Sequence, residues 1–283
     1  MYKERHAWYF LTIPAILLLT FSLIPAAWAL FLSFTNYNVF QPLQFVGLEN
    51  FQRAFTNELF GKAIFNTFYY WILVTPALVV LPILLAVLVN QKIPLINFFQ
   101  LTYYFPFLVS VVVTALLWKM MFRQDGIMNY FLSLFGIEPV GWLTSSSTAM
   151  PSIGLITIWQ GLGYYMLIYL AGLQAIPKSL YEAAEIDGAG FWKKQFHVTF
   201  PMLRPIIFFV TIVSTLSAFK EFTLMLVMTD GGPLYATTTV VYLVFLEAFE
   251  YLNMGYASAI SFILFVIILI ITLINRRVFE RDD

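Results

Sequence analysis

The chain has 283 residues, of which 61% are hydrophobic and only 11% are charged, and its formal net charge is zero. Soluble domains carry about 25% charged residues, so this composition excludes an ordinary soluble protein and predicts an all-α integral membrane protein. The neutral balance gives no support for nucleic-acid binding. Cysteine is absent, which excludes disulfides and thiol catalysis, and the two histidines, His6 and His197, lie too far apart in sequence to suggest a metal site.

Six apolar segments are long enough to cross a bilayer, which takes about 20 residues per helix. In chain order the predicted spans are 8–34, 64–89, 98–118, 151–173, 205–228 and 256–274. Interior prolines such as Pro76 and Pro106 are compatible with membrane helices, because neighbouring helices satisfy the carbonyls that a proline frees. The first segment is too long for a signal peptide and lacks a small-residue cleavage pattern. We expect one multi-pass transmembrane domain over 1–283.

The segment 237–251 is also apolar, but it ends at Glu247 and Glu250 too soon to cross a bilayer. We predict that it forms a helix lying at the outer membrane surface. It is therefore not counted among the six spans.

The basic residues orient the chain. With both termini in the cytoplasm, ten Lys and Arg residues lie inside and four outside, as the positive-inside rule requires. The inner residues are Lys3, Arg5, Lys92, Lys178, Lys193, Lys194, Arg204, Arg276, Arg277 and Arg281. The outer residues are Arg53, Lys62, Lys119 and Arg123. An even number of spans keeps both termini on the same side.

A polar loop at 175–204 interrupts the apolar pattern on the predicted cytoplasmic side. Ser179 followed three residues later by Glu182 predicts a capping box at the start of a short helix. Gly188 and Gly190 are expected to break that helix, because glycine adopts backbone angles that other residues avoid. A water-exposed helix between membrane spans indicates a surface that binds a partner.

A second short helix is predicted over 191–200. Pro201 is expected to end this helix, and Pro205 suits the first turn of the fifth span. The loop is therefore predicted to contain two helices around a glycine hinge.

The motif Glu182-Ala-Ala, three residues, Gly188, nine residues, then Val198-x-Phe200-Pro201 resembles the signature cytoplasmic loop of ABC importer permeases. That family favours Ile and Leu where Val198 and Phe200 stand. Further stretches resemble landmarks of the carbohydrate branch, the maltose and glycerol-phosphate type, and in particular its maltose F-type subunit. These stretches are Phe45-Val-Gly-Leu-Glu-Asn-Phe51, Thr229-Asp-Gly-Gly-Pro233 and Gly255-Tyr-Ala-Ser-Ala259. The resemblance implies the six-span type I ABC importer permease fold.

The resemblance also implies how such a chain is driven. The loop would form a coupling helix that docks in a groove of a separate ATPase subunit. The implied coupling residues are Glu182, Ala183, Ala184, Asp187, Gly188 and Pro201. The chain has no Gly-x-x-x-x-Gly-Lys-Ser/Thr phosphate loop, so we expect it to be no enzyme and to hold no cofactor, with ATP and Mg bound by the ATPase.

The implied assembly has several components in the bacterial inner membrane. It would contain a second, homologous permease subunit and two ATPase subunits. A solute-binding protein outside the cytoplasmic membrane would deliver a small sugar-like substrate.

Charges inside the fifth predicted span indicate a substrate pathway. Lys220 and Glu221 lie where charge usually faces a cavity or a partner; the alternative is a mutual or interhelical ion pair. The predicted pathway residues are Gln160, Gly161, Tyr164, Ser214, Ser217, Lys220 and Glu221. The resemblance to the maltose-type subunit places all of them except Lys220 at its sugar pocket, although Glu221 stands where the family pattern resembles an amide. The set suits a sugar, polyol or glycoside.

Two other classes of membrane protein fit the sequence less well. A self-sufficient secondary sugar transporter often shows inverted repeats and carboxylates for ion coupling, and no repeat is visible. An intramembrane enzyme needs a nucleophile with a base, or a metal cluster, and no histidine lies inside a predicted span. The sequence favours the permease of an ATP-driven sugar importer, with the secondary transporter as the alternative.

Overall fold

The computed structural model describes residues 11–40, 42–90 and 95–280. In these ranges the chain is helical apart from loops and one isolated β-bridge between Thr35 and Phe45. The first residues of the predicted first span, 8–10, lie outside the described residues. So do five positions from the sequence analysis: Lys3, Arg5, His6, Lys92 and Arg281.

The helices, in chain order, are α1 (Leu11–Leu32), α2 (Glu49–Thr56), α3 (Glu58–Val89), α4 (Ile96–Leu108), α5 (Val111–Met121), α6 (Ile127–Ser133), α7 (Ala149–Ala175), α8 (Lys178–Ile186), α9 (Phe191–Met202), α10 (Arg204–Phe219), α11 (Thr223–Thr229), α12 (Val240–Phe245) and α13 (Met254–Glu280). π-helical turns occur in α1 at Leu19–Leu23 and in α9 at Gln195–Thr199. A third π-helical turn, Leu246–Glu250, extends α12.

The described residues form two compact units. The first combines the chain up to Gly61 with Val240–Val266, and the second combines Lys62–Thr239 with the residues from Ile267 onward. All the predicted coupling and pathway residues belong to the second unit.

Four of the predicted spans are confirmed as long apolar helices. These are α1, α3, α7 and α13, each of which is long and apolar enough to cross a membrane. Helix α3 contains Pro76 and Pro82 without interruption, as expected for a membrane helix. The segment 237–251 contains only the short helix α12 and its π-helical turn, in agreement with a helix too short to span.

The predicted third span is not one continuous helix. Helices α4 and α5 meet at an angle of 95°, with Val109 and Ser110 between them. Both residues have extended ψ angles, 139° and 131°, which ends α4 and starts α5 in a new direction. Pro106 lies inside α4, one turn before the break.

The predicted fifth span is also interrupted. Helix α10 ends at Phe219 and α11 begins at Thr223, so 205–228 is not continuous. At its other end, α10 meets α9 at 66°. If each bent pair, α4 with α5 and α9 with α10, counts as one span, the described helices provide up to six spans.

Close helix packing builds the second unit. Helix α4 packs against α7, α10 against α7, and α11 against α5 and α7. Gly163 of α7 faces the backbone of Tyr103 and Tyr104 in α4 so closely that a Cβ at this position would overlap it. Small residues at helix interfaces let backbones approach in this way in membrane proteins.

Two of the carbohydrate-branch landmarks meet in the first unit. Asn50 is buried and donates through Nδ2 to the carbonyls of Ser33 and Thr35, at 2.9 and 2.8 Å. Gly255, at the start of α13, donates its N–H to the carbonyl of Tyr37 at 3.0 Å. A Cβ at position 255 would overlap the carbonyl oxygen of Thr35. Both landmarks therefore hold the turn that follows α1.

We expect Gly255→Ala to destabilise the protein by about 2 to 3 kcal/mol, because the new methyl group must displace the Thr35 backbone. The measurement is thermal unfolding of the detergent-purified protein. Ser261→Ala, which removes only an intrahelical bond from α13 to the carbonyl of Ala257, is the control and should unfold close to the wild-type temperature. Equal melting temperatures for Gly255→Ala and wild type would contradict the proposed close contact.

Candidate functional site

The second unit contains a cavity of about 450 Å³. Ligand pockets usually measure about 300 to 1,000 Å³. The lining residues are Leu78, Phe107, Val109, Val111, Thr157, Gln160, Gly161, Tyr164, Tyr165, Val213, Ser217, Glu221 and Leu224. Both helix breaks open onto this cavity, because Val109 and Glu221 are among its lining residues.

Gln160 joins the first break to α7. Its Nε2 donates to the carbonyl of Val109 at 3.2 Å, which satisfies an acceptor that the end of α4 leaves without a helical partner. Irregular backbone at membrane depth is tolerated where it lines a cavity or is buried in protein. Gln160 therefore stabilises the break and presents an amide at the cavity wall.

Tyr164 supplies an aromatic face. Its ring is stacked on that of Phe107, with centroids 4.5 Å apart and planes inclined by 14°. Tyr165 meets Tyr164 edge to face at 5.0 Å. On the same face of α7, two turns earlier, Thr157 shares a hydrogen bond of 2.6 Å with Tyr70 of α3. The cavity thus combines flat apolar rings with hydroxyl and amide groups.

Glu221 lies at the second break, where its carboxylate caps α11. Its Oε1 accepts the backbone N–H of Leu224 at 2.9 Å, and an acidic side chain is favourable at a helix N-terminus. Lys220 is exposed and does not line the cavity. Across the described ranges no ion pair includes Glu221, so the ion-pair alternative for these two residues is wrong.

Five of the seven predicted pathway residues line the cavity, and two do not. Ser217 lines it, whereas Ser214, one turn earlier, is fully buried and donates its hydroxyl to the carbonyl of Val210 at 2.7 Å. Ser214 and Lys220 therefore lie outside the lining. Phe107, Thr157 and Tyr165 also line the cavity and were not predicted from the sequence. Aromatic residues form 19% of the chain, so no local pattern distinguishes Phe107 and Tyr165 from other aromatic residues.

The predicted coupling loop contains α8 and α9. Helix α8 begins at Lys178 after Pro177, and no side chain caps it. The capping box predicted from Ser179 and Glu182 is therefore wrong. Pro177 occupies the N-cap position, so Ser179 already lies in the first helical turn and has no cap position from which to reach an unpaired N–H. Glu182 is exposed on the helix.

The predicted break at Gly188 is confirmed. Gly188 has a φ of +72° and donates to the carbonyl of Glu185 at 3.0 Å, while Ala189 donates to the carbonyl of Ala184 at 2.8 Å. These two bonds form a Schellman motif, in which glycine is the preferred residue. Gly190 has an ordinary φ of −69° and only precedes α9, so its predicted role in breaking the helix is wrong.

Helices α8 and α9 are tied together by side chains. Tyr181 and Thr199 share a hydrogen bond of 3.0 Å between their hydroxyls. Lys194 of α9 forms an ion pair with Glu185 of α8. Two contacts therefore link α8 to α9, and the one between Tyr181 and Thr199 is partly buried.

Pro201 does not end the second helix. Helix α9 continues to Met202, and the bend falls at Leu203. Pro201 lies in the first turn after the π-helical turn, where the missing N–H of a proline is tolerated. Pro205 lies in the first turn of α10, as predicted.

The loop presents an exposed surface of mixed character. The side chains of Ile186, Trp192 and Phe196 are 87%, 66% and 60% exposed. Ala183 and Asp187 are also exposed, while Ala184 is half-buried. Large apolar side chains exposed close together on a polar loop are typical of a protein interaction site.

The loop between α11 and α12 is held by α3. Lys62 donates to the carbonyl of Leu234, and Asn66 donates to those of Tyr235 and Thr238 at 2.8 and 2.9 Å. Leu234 and Tyr235 have positive φ angles, and their side chains are 80% and 55% exposed. This loop, which begins with Asp230–Pro233 of the landmark, is held by three hydrogen bonds from α3 and exposes apolar side chains.

No three His, Asp or Glu side chains of the described ranges lie close enough together to hold a metal ion. The site offers hydroxyl, amide, carboxylate and aromatic groups. These groups suit reversible binding of a polyhydroxylated molecule.

Comparison with known proteins gives one family match and several full-length relatives. Residues 54–281 match the family described as binding-protein-dependent transport system inner membrane component. The chain is 36% identical over 278 residues to the probable ABC transporter permease protein YesP of Bacillus subtilis, covering 96% of this chain and 90% of YesP. It is 32% identical over 289 residues to the trehalose/maltose transport system permease protein MalF of Thermococcus litoralis, covering 99% and 97% of the two chains.

The fold is similar to that of a solved transporter. A chain of a bacterial ABC transporter involved in the import of the acidic polysaccharide alginate superposes with a TM-score of 0.86 and 25% sequence identity. The superposition covers 99% of this chain and 97% of the other. The two helix breaks and the cavity thus lie within a fold shared along nearly the whole chain.

Proposed function

The chain belongs to the family of inner membrane components of binding-protein-dependent transport systems, and we propose that it is a permease subunit of an ATP-driven importer. The cargo is a sugar or a related polyol or glycoside. In this proposal residues 1–283 form a single transmembrane permease domain in a bacterial inner membrane, with six spans and both termini in the cytoplasm.

The cavity is the proposed substrate pathway. Its polar groups include Gln160, Ser217 and Glu221, which offer hydrogen-bond partners for hydroxyl groups. The ring of Tyr164, stacked on Phe107, offers a flat face for a sugar ring. The cavity opens at two helix breaks, so a bend at either break changes its shape, as alternating access requires. Gly161 keeps this wall of α7 close to Leu78.

The coupling loop is the proposed connection to the ATPase. Glu182, Ala183 and Asp187 are exposed along α8, and the Schellman turn at Gly188 holds the end of that helix in one conformation. A partner that pushes on α8 moves α9 through the Tyr181–Thr199 bond. Since α9 leads into α10, which carries Ser217 and ends at the break beside Glu221, the movement reaches the cavity wall.

The transporter in this proposal has further subunits. A second permease subunit completes the pathway, and two ATPase subunits bind ATP and Mg and perform the hydrolysis. The rigid loop with exposed Leu234 and Tyr235 is a candidate contact for the solute-binding protein. The proposal of a sugar as the cargo rests on the full-length match to permease subunits named for trehalose/maltose and other sugars.

The test of this proposal is purification of the tagged chain from its own organism in mild detergent. We expect a second permease and an ATPase to copurify, and the complex to hydrolyse ATP faster when its loaded binding protein is added. Recovery of the chain alone, with sugar uptake that needs no ATPase, would instead support the secondary transporter.

We expect Tyr164→Ala to reduce sugar uptake by about tenfold, because the variant loses the aromatic face and the stacking on Phe107. Tyr164→Phe keeps the stacked ring and should stay within about threefold of wild type. The measurement is uptake of the labelled cargo by cells that carry the complete transporter, at matched levels of the chain. Equal uptake by Tyr164→Ala and wild type would remove Tyr164 from the pathway.

A further inference from the structure

Among the residues that line the cavity of the second unit, Glu221 is the one that carries a formal charge. The other polar groups of the lining are the neutral side chains of Thr157, Gln160, Tyr164, Tyr165 and Ser217. An ion is expensive to place in a surrounding of low dielectric constant unless an opposite charge accompanies it. A ligand that binds beside this single carboxylate must therefore be compatible with its negative charge.

The structure fixes this carboxylate at the cavity wall. Its Oε1 accepts the N–H of Leu224 at 2.9 Å, which ties the side chain to the first turn of α11. The carbonyl of Glu221 also accepts the hydroxyl of Thr239 at 3.4 Å. The residue is half-buried and is one of the residues that line the cavity.

Basic side chains do not offset this charge in the part of the chain that the structure describes. Lys220 is adjacent in sequence but exposed and outside the lining. The recorded ion pairs are Arg53–Glu247, Arg123–Asp125 and Lys194–Glu185, none of which includes Glu221. The cavity wall thus carries a net negative charge.

We propose that Glu221 makes this pathway selective by charge: it accepts neutral or amine-bearing saccharides and rejects anionic ones such as uronates. This inference rests on the proposed function. A carboxylate accepts hydrogen bonds from sugar hydroxyls and pairs strongly with an ammonium group. A carboxylate on the ligand meets a like charge instead, and such repulsion is an efficient way to exclude a wrong partner.

This charge preference distinguishes the chain from a transporter chain of the same fold. The alginate transporter imports an acidic polysaccharide, and a cavity wall with an unpaired carboxylate is poorly suited to such a cargo. We therefore expect the residue at position 221, rather than the shared fold, to set the charge preference of this chain.

The test uses three disaccharides with the same β-1,4-linked glucose skeleton: cellobiose, which is neutral, chitobiose, which carries amines, and cellobiouronic acid, which carries a carboxylate. Binding to the complete transporter in nanodiscs is measured by isothermal titration calorimetry without the solute-binding protein, so that the preference of that protein does not enter. The variants are Glu221→Gln, Glu221→Asp and Ser217→Ala.

We expect the wild-type complex to bind cellobiose and chitobiose at least about tenfold more tightly than cellobiouronic acid. Glu221→Gln removes the charge and keeps an oxygen that accepts the Leu224 N–H, so the preference should shrink to within about threefold through tighter binding of the acid. Glu221→Asp keeps the charge and should keep the preference. Ser217→Ala should change binding of all three sugars by a similar factor.

Three results would overturn the inference. The wild-type complex could bind the acid as tightly as cellobiose, or Glu221→Gln could keep the wild-type preference. In the third, Ser217→Ala would lose the preference to the same extent as Glu221→Gln. These results leave ATP-driven uptake intact, and so they are distinct from a failure of the proposed function. If none of the three disaccharides binds to the wild-type complex at millimolar concentration, the cavity is not a saccharide site and the inference fails with it.

Discussion

Replacing Gly188 with aspartate is expected to reduce ATP-driven uptake by about tenfold or more, as expected for disruption of a central contact at an interface. Gly188 has a φ of +72°, and apart from its chain neighbours no atom of the described residues lies within 4 Å of the position that a Cβ would take. The side chain therefore has room in this chain, and the left-handed conformation costs about 1 to 2 kcal/mol. A loss of uptake would then come from the partner that docks on the loop.

The matched control for this variant is Gly136→Asp. Gly136 has a φ of +73° and is exposed, and in the described ranges a new Cβ there would also meet nothing within 4 Å beyond its chain neighbours. It lies in the loop after α6, on the predicted outer side. It should carry the same conformational cost and keep its uptake. The measurements are sugar uptake and the ATPase activity of the purified complex. We expect Gly188→Asp to separate hydrolysis from transport, and unimpaired uptake in that variant would contradict the coupling role.

Replacing Gly163 with alanine is expected to destabilise the protein by about 3 kcal/mol, because overpacking a tight helix interface forces the backbones apart. A Cβ at this position would overlap the carbonyl oxygen of Tyr103, and a backbone oxygen does not move aside as a side chain does. Since α4 and α7 also carry Phe107 and Tyr164, separating the helices removes the stacked pair from the cavity wall.

Gly154→Ala is the control in the same helix. Its new Cβ would meet Cδ2 of Leu73, the end of a flexible side chain that can change rotamer. The measurement is the melting temperature of each detergent-purified variant, followed by size-exclusion chromatography. We expect Gly163→Ala to melt well below Gly154→Ala. A melting temperature for Gly163→Ala equal to that of wild type would show that α4 and α7 are not in backbone contact.

The long apolar helices could be predicted from the sequence because their signal is local. Twenty consecutive apolar residues are sufficient to indicate a span, and α1, α3, α7 and α13 agree with that signal. The break at Val109 could not be predicted in the same way. Its carbonyl is satisfied by Gln160, a partner 51 residues away, and no local pattern contains that information.

The site residues likewise divide into those that a local pattern predicts and those that only the packing determines. Ser214 and Ser217 have similar chemistry and helical spacing, and only the packing around α10 decides that one is buried and the other lines the cavity. The Gly188 turn was predictable from the sequence, because a helix end with a positive φ is usually occupied by glycine. The start of α8 was not predictable in this way, because both Pro177 and Ser179 are residue types that occur at the start of a helix. In the structure Pro177 takes the N-cap position.

Sugar uptake by the reconstituted transporter tests the central claim most directly. The chain, its second permease, the ATPase and the binding protein are placed in proteoliposomes, and accumulation of the labelled cargo is measured with ATP, with a non-hydrolysable ATP analogue, and with the chain alone. We predict accumulation only when all the subunits and hydrolysable ATP are present. Accumulation by the chain alone, driven by an ion gradient without ATP, would contradict the account.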